Sequence, residues 1–166
     1  NRNLIINGAM QVAQRYTSIT GEGYPADRWN VQYANVDEAP TLSQHALTSS
    51  DTGPWEKGFR YSSHIQNGNQ SSGDSNDYMI ITTTLEAQDM AASGWNYTSA
   101  SSYVTLSYWV KSSVAQNFYH YVRTADGTGQ LYAWETGTLS ANTWTKITKK
   151  IPGNSNIQFD NNNGLG

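Results

Sequence analysis

Residues 103–111 alternate between two kinds of side chain, and this pattern limits the folds open to the chain. Val104, Leu106, Tyr108 and Val110 occupy every second position, and more polar or amphipathic residues lie between them. Successive side chains of a β-strand point to opposite faces, so a period of two predicts a strand with one face in the core. An amphipathic helix would need apolar residues every three to four positions. The chain must therefore bury the face of a sheet.

Weaker runs of the same kind recur between clusters of Gly, Asn, Ser and Pro. They predict further strands at residues 28–33, 41–47, 59–66, 78–85, 117–124, 130–136 and 144–151. The only convincing helical segment is residues 86–93, which ends before Gly94. Eight or nine short strands joined by turns indicate an all-β protein, a jelly-roll β-sandwich with one short helix. The predicted core contains Trp29, Leu106, Tyr108, Val110 and Ile147.

Length and charge narrow the functional classes. A chain of 166 residues fits one domain that can bury a core. Its formal net charge of -3 argues against binding to a nucleic-acid backbone. No apolar run approaches the roughly 18 residues of a membrane-spanning helix, so membrane insertion is not expected. The absence of cysteine excludes disulfides, thiolate metal sites and cysteine nucleophiles.

The strongest functional signal is a predicted aromatic hairpin from Asn117 to Thr136. Its strands flank a turn of sequence Asp-Gly-Thr-Gly at residues 126–129. Alternation places Tyr119, Tyr121 and Arg123 on one face of the first strand. The second strand carries Tyr132 and Trp134 on one face, with Leu131, Ala133 and Glu135 on the other.

The register of this hairpin decides which side chains are exposed. If Val122 points to the core, one register leaves Tyr119, Tyr121, Arg123 and Glu135 on the surface and Trp134 in the interior, whereas another register turns Trp134 outward. The candidate carbohydrate-binding residues are Tyr119, Tyr121, Arg123, Trp134 and Glu135. Tyrosines beside an arginine suit sugar rings and hydroxyls, but they suit a plain sheet surface or a subunit interface equally well.

Other chemistries have weaker support. Asp27, Arg28 and Trp29 could form a ligand site, but their position at the start of a strand favours structural roles. The three histidines, His45, His64 and His120, are widely separated, with no spacing typical of a zinc site. Glycoside cleavage needs two convergent carboxylates, which a sequence cannot identify. The candidate carboxylates are Asp37, Glu38, Glu56, Glu86, Asp89 and Glu135.

Several segments resemble a family of bacteriophage virion proteins, mostly tail-fibre or tail-associated. The matching sequences are NLIINGAM at residues 3–10, YPADRW at 24–29, VTLSYWVKS at 104–112 and NTWTK at 142–146. The same segments are similar to carbohydrate-binding modules of the galactose-binding-like jelly-roll superfamily. These segments span nearly the whole chain in the family's order, but they consist of structural strand residues.

The resemblance implies a structural protein located on the virion, either a tail fibre or a tail-associated protein. It also implies that this protein binds host surface carbohydrate. The alternatives are a non-catalytic assembly scaffold and, with less support, a polysaccharide depolymerase. Its implied partners are other virion proteins and copies of itself, for example in a homotrimer, and a host glycan is a further candidate. No cofactor is expected, although calcium is a candidate ion because related modules often hold one.

The end of the chain departs from the family pattern. In the family, the run equivalent to residues 163–166 leads into another apolar strand, which this sequence lacks. We therefore expect residues 1–166 to form a single β-sandwich domain without its last strand or strands. Because an unpaired sheet edge is normally covered, we also expect either that the natural chain continues past Gly166 or that a neighbouring subunit covers this edge.

Overall fold

The structure is a computed structural model that describes residues 3–160. Strands make up 36% and helices 5% of the protein, and the strands pair in antiparallel sheets. The predicted class, an all-β sandwich with one short helix, is confirmed. The expectation that the last strand is missing concerns residues that lie outside the described range 3–160.

Contacts divide the described residues into two compact units. The N-terminal unit contains residues 5–51 and 55–83, and the C-terminal unit contains residues 3–4, 52–54 and 84–160. The organisation of the chain as a single β-sandwich domain stays a prediction.

The N-terminal unit contains two three-stranded antiparallel sheets and a short 3-10 helix at Trp55–Lys57. One sheet has the strand order β1-β4-β5 and the other has the order β2-β3-β6. The strands are β1 (Ser18–Thr20), β2 (Gly23–Ala26), β3 (Trp29–Ala34), β4 (Thr41–Ala46), β5 (Tyr61–Gln66) and β6 (Tyr78–Thr82). Val31 of β3 and Leu42 of β4 are completely buried. Each sheet thus contributes its central strand to the core of this unit.

The C-terminal unit contains one α-helix and two two-stranded antiparallel sheets, β7-β10 and β8-β9. The elements are α1 (Ala87–Ala91), β7 (Tyr103–Val110), β8 (Tyr119–Arg123), β9 (Leu131–Glu135) and β10 (Thr145–Pro152). All eight residues of β7 pair with β10, so that Tyr108 lies opposite Ile147. Ile147 and Ile151 of β10 are buried. The alternation predicted for β7 therefore corresponds to a real inner face.

Burial of the predicted core residues is less complete than expected. Ile147 is buried, whereas Trp29, Leu106, Tyr108 and Val110 are only half-buried. Three of the half-buried residues belong to β7, whose sheet has only two strands. A two-stranded sheet has no central strand covered on both sides, so side chains on its inner face retain some exposure.

The start of the described chain forms a turn. Residues 4–6 are apolar but lead into a turn at residues 6–9, where Asn7 has a φ of 54°. The Asn7 side-chain amide donates to the carbonyl oxygens of Val12 and Asp27, each at 2.9 Å. Asn tolerates the left-handed region better than other non-glycine residues. The apolar run therefore precedes a hydrogen-bonded turn instead of pairing in a sheet.

Candidate functional site

The predicted hairpin forms, and its register is resolved. Tyr119 lies opposite Glu135, Tyr121 opposite Ala133, and Arg123 opposite Leu131. Directly opposed residues of an antiparallel pair project from the same face of the sheet. One face, here called the outer face, therefore consists of Tyr119, Tyr121, Arg123, Leu131, Ala133 and Glu135.

The outer face carries large apolar side chains that are well exposed to solvent. The exposed fraction is 77% for Tyr119, 66% for Leu131 and 48% for Tyr121. Val122 shares the other face of the hairpin with Tyr132 and Trp134, whereas Leu131 lies on the outer face. Leu131 thus adds an apolar group beside the two tyrosines. Clusters of exposed apolar side chains of this kind often mark binding surfaces.

Trp134 is on the other face of the hairpin and only 9% exposed. Its indole Nε1 donates to the hydroxyl of Tyr108 at 3.2 Å. Its ring stacks on His120, with centroids 5.6 Å apart and planes inclined by 12°. Tyr108, His120 and Trp134 form what we call the inner cluster. Of the five candidate binding residues, the structure brings four together on the outer face and separates Trp134 from them.

Charge on the outer face is balanced between its two ends. Arg123 is the last residue of β8, and Glu135 is the last residue of β9. The Asn117 side-chain amide donates to Glu135 Oε2 at 2.8 Å, which limits the positions open to that carboxylate. Tyr121 lies between the two charges, and Tyr119 lies opposite Glu135. The face thus offers aromatic surface with a hydrogen-bonding group at each end.

The inner cluster perturbs two titratable groups. Burial is the main cause that lowers the pKa of His120, and a backbone hydrogen bond at Phe118 acts in the opposite direction. Burial raises the pKa of the Tyr108 hydroxyl, and the hydrogen bond from Trp134 partly offsets this rise. The lowered pKa favours the neutral form of His120, which packs between the rings of Tyr108 and Trp134.

We expect the stability of the C-terminal unit to fall as the pH is lowered below about 6.5, the pKa of an unperturbed histidine. Because the pKa of His120 is lowered in the folded state, the unfolded chain takes up this proton first. The contribution of neutral His120 to stability is complete at pH values above its pKa in the unfolded chain, about 6.5. This contribution is lost as the pH falls toward the lower pKa of His120 in the folded state. Urea denaturation at a series of pH values would measure it. His120→Phe, which keeps a ring but cannot titrate, should flatten this step, and an unchanged pH dependence would contradict the assignment.

A polar cavity lies at the loop end of the same hairpin. Its volume is about 310 Å³, and its lining consists of neutral polar residues: Thr128, Gln130, Ser155, Asn156 and Gln158. The Asn154 side-chain amide donates to Gln130 Oε1 at 3.1 Å, and the Asp160 backbone N–H donates to Asp126 Oδ2 at 2.8 Å. These bonds hold the segment after β10 against the hairpin loop. The sequence predicts the hairpin turn, but period-two patterns carry no information about contacts between loops.

The Asp27, Arg28 and Trp29 segment has structural contacts. Asp27 Oδ1 accepts a hydrogen bond from the Gln14 backbone N–H at 3.1 Å, and Trp29 Nε1 donates to the Asn7 carbonyl at 3.1 Å. Arg28 has a φ of 74° at the turn between β2 and β3. The structural interpretation favoured from the sequence accounts for Asp27 and Trp29.

Two of the candidate carboxylates stabilise a loop. Asp37 Oδ2 accepts hydrogen bonds from both the backbone N–H and the hydroxyl of Ser71, which lower the pKa of Asp37. Glu38 Oε2 accepts from the Asn69 backbone N–H at 2.7 Å. A general acid in glycoside cleavage needs a raised pKa. Asp37 is therefore unsuited to that role.

Residues 3–160 contain no group of three or more His, Cys, Asp or Glu side chains that could hold a metal ion. In the same part of the chain, no helix has the length and apolar character needed to cross a membrane. Comparison of the sequence and structure with protein-family models, curated proteins and solved structures finds no match.

Proposed function

We propose that this protein is a non-catalytic structural protein of a bacteriophage virion that binds host surface carbohydrate through the outer face of the β8–β9 hairpin. The observation that carries the proposal is the exposure of Tyr119 and Tyr121 together on this face, next to Arg123. The two tyrosines are two positions apart in β8, which separates their Cα atoms by about 7 Å. The pair can contact one sugar ring or two adjoining ones.

The chemistry of the face fits a neutral or weakly charged saccharide. Aromatic rings supply apolar contact area for the C–H groups of a sugar. Arg123 can donate to sugar oxygens, and the Glu135 carboxylate can accept from hydroxyls. The neutral polar cavity around Gln130 provides further amide and hydroxyl groups beyond the end of β8. Ligand sites commonly combine apolar surface with a few polar groups in this way.

The virion part of the proposal is supported by the sequence resemblance. The resemblance implies a tail-fibre or tail-associated component, with other virion proteins and its own copies as partners. Several copies on one particle would strengthen weak binding by single sites, since multivalency can raise avidity by about 10²- to 10⁴-fold. Weak contact per subunit is expected because desolvation of hydroxyls offsets much of the gain from new hydrogen bonds.

Leu131 favours a second candidate, an assembly scaffold. A leucine that is 66% exposed beside two tyrosines adds apolar surface that a sugar would not fully use. Tyrosine and arginine are also enriched in protein–protein interfaces. In this alternative the outer face pairs with another copy of the chain or with another virion protein.

A glycan array probed with the 166-residue chain in multivalent form would test carbohydrate binding. Tyr119→Ala and Tyr121→Ala should each weaken binding to the selected glycan by about tenfold or more, since loss of about 1.4 kcal/mol of contact energy has that effect. Tyr78→Ala is a matched control because Tyr78 is 50% exposed but lies in β6 of the N-terminal unit.

The two candidate functions differ in a second measurement. If the outer face binds sugar, sedimentation of the wild type and of Leu131→Ala should give the same oligomeric state. If the wild type binds no glycan and Leu131→Ala dissociates an oligomer, the scaffold replaces the carbohydrate-binding proposal. Equal glycan binding by the wild type and both tyrosine variants would move the sugar site away from this face.

A further inference from the structure

Two histidines that are distant in the sequence meet on the exposed face of the β1-β4-β5 sheet. In the pairing of β4 with β5, His45 lies opposite Ser62, and His64 lies opposite Ser43. The two histidines are therefore diagonal neighbours on one face, close enough for long side chains to meet. Their ring centroids are 5.5 Å apart and their planes are inclined by 52°.

Both rings are accessible from solvent. His45 and His64 are exposed, and the residues paired with them are small serines. The Ser43 hydroxyl lies 3.5 Å from His64 Nδ1, at the limit of a hydrogen bond. No bulky side chain on the paired positions separates the rings. An ion in solution could therefore approach both imidazoles.

The separation of the rings is compatible with a shared metal ion. With a Zn–N bond of about 2.0–2.1 Å, a zinc ion lies about 3.2 Å from the centre of each ligating imidazole. If one nitrogen of each ring faces the same ion, rings with centroids 5.5 Å apart subtend an angle of about 120° at the metal. This angle is near the tetrahedral value that zinc prefers, whereas ligands trans to each other in a square plane would place the centroids about 6.4 Å apart.

We propose that His45 and His64 together bind one Zn²⁺ ion on this face of the sheet. The remaining coordination positions are filled by water, since no third His, Cys, Asp or Glu joins the pair within residues 3–160. A site with two protein ligands leaves positions that an external ligand can occupy. It is independent of the carbohydrate surface, which lies in the C-terminal unit.

Titration of the metal-free 166-residue chain with Zn²⁺ alone, followed by isothermal calorimetry, tests the site. The wild type should bind one equivalent saturably, and His45→Ala or His64→Ala should each abolish this binding. Both substitutions lie on an exposed sheet face, so the variants should fold, which far-UV circular dichroism would verify. Ser62→Ala is the matched control because it alters the same face without removing an imidazole, and it should bind as the wild type does.

A second measurement assigns the bound ion to particular rings. On addition of Zn²⁺, the NMR side-chain signals of His45 and His64 should shift together, while those of His120, which packs in the inner cluster, should not. Absence of saturable binding by the wild type would overturn the proposal. So would binding that survives both single substitutions or that shifts His120 instead.

Discussion

Trp134→Ala is expected to lower the free energy of unfolding of the C-terminal unit by about 3–5 kcal/mol, the range typical of large aromatic residues in a core. The substitution removes a side chain that is only 9% exposed, together with its stacking on His120. It also leaves the Tyr108 hydroxyl without the indole donor at 3.2 Å. Loss of packing and loss of a hydrogen bond act in the same direction.

Urea denaturation followed by near-UV circular dichroism would measure this loss. Hydrogen exchange of the β8 and β9 amides would assign it to the C-terminal unit. Tyr119→Ala is the control because it removes an aromatic ring from the same hairpin but from the exposed face, and it should change stability by no more than about 0.5 kcal/mol. Similar losses for the two variants would mean that the inner cluster is not what stabilises the hairpin.

Trp134 illustrates what the sequence could decide about the site and what it could not. Alternation alone predicts that Tyr119, Tyr121 and Arg123 share a face, because side-chain direction within one strand follows from the backbone. Placing Trp134 relative to them requires the register between β8 and β9, and a shift of one residue would turn every side chain of β9 over. The structure resolves the register, which puts Leu131 outside and Trp134 inside.

Strands were likewise predictable where the pattern lies within one segment, but not where they depend on a distant partner. Strand β7 was predicted at residues 103–111 and is observed at Tyr103–Val110, because eight consecutive residues give a clear period. Strands β1 and β2 were not predicted, since they have only three and four residues. β1 forms by pairing with β4, which follows it by about twenty residues. A pattern within three residues carries almost no information about such a partner.

Long-range pairing also explains the features that sequence reasoning missed. His45 and His64 meet because β4 and β5 pair as neighbours, although their spacing in the sequence resembles no metal motif. The polar cavity forms because Asn154, after β10, bonds to Gln130, before β9. In both cases the residue types were visible in the sequence, whereas the contact between them depended on tertiary structure.

Leu42→Ala is expected to lower the free energy of unfolding of the N-terminal unit by about 2–5 kcal/mol. Leu42 is completely buried in β4, the central strand of its sheet. It pairs with Ile19 of β1 on one side and with Ile65 of β5 on the other, so the three side chains share one face. Truncation leaves a cavity between two β-branched neighbours whose stiff side chains cannot easily fill it.

The size of this loss depends on how far the sheet can collapse around the cavity. A substitution at the neighbouring position of the same strand is therefore the control. Ser43→Ala changes the next residue of β4, on the opposite and more exposed face, and should change stability by no more than about 0.5 kcal/mol. Urea denaturation with hydrogen exchange of the β4 and β5 amides would measure both variants. A loss below about 1 kcal/mol for Leu42→Ala would mean that this inner face is not the core of the unit. A large loss for Leu42→Ala alone would locate the core of the unit on the sheet face opposite His45 and His64.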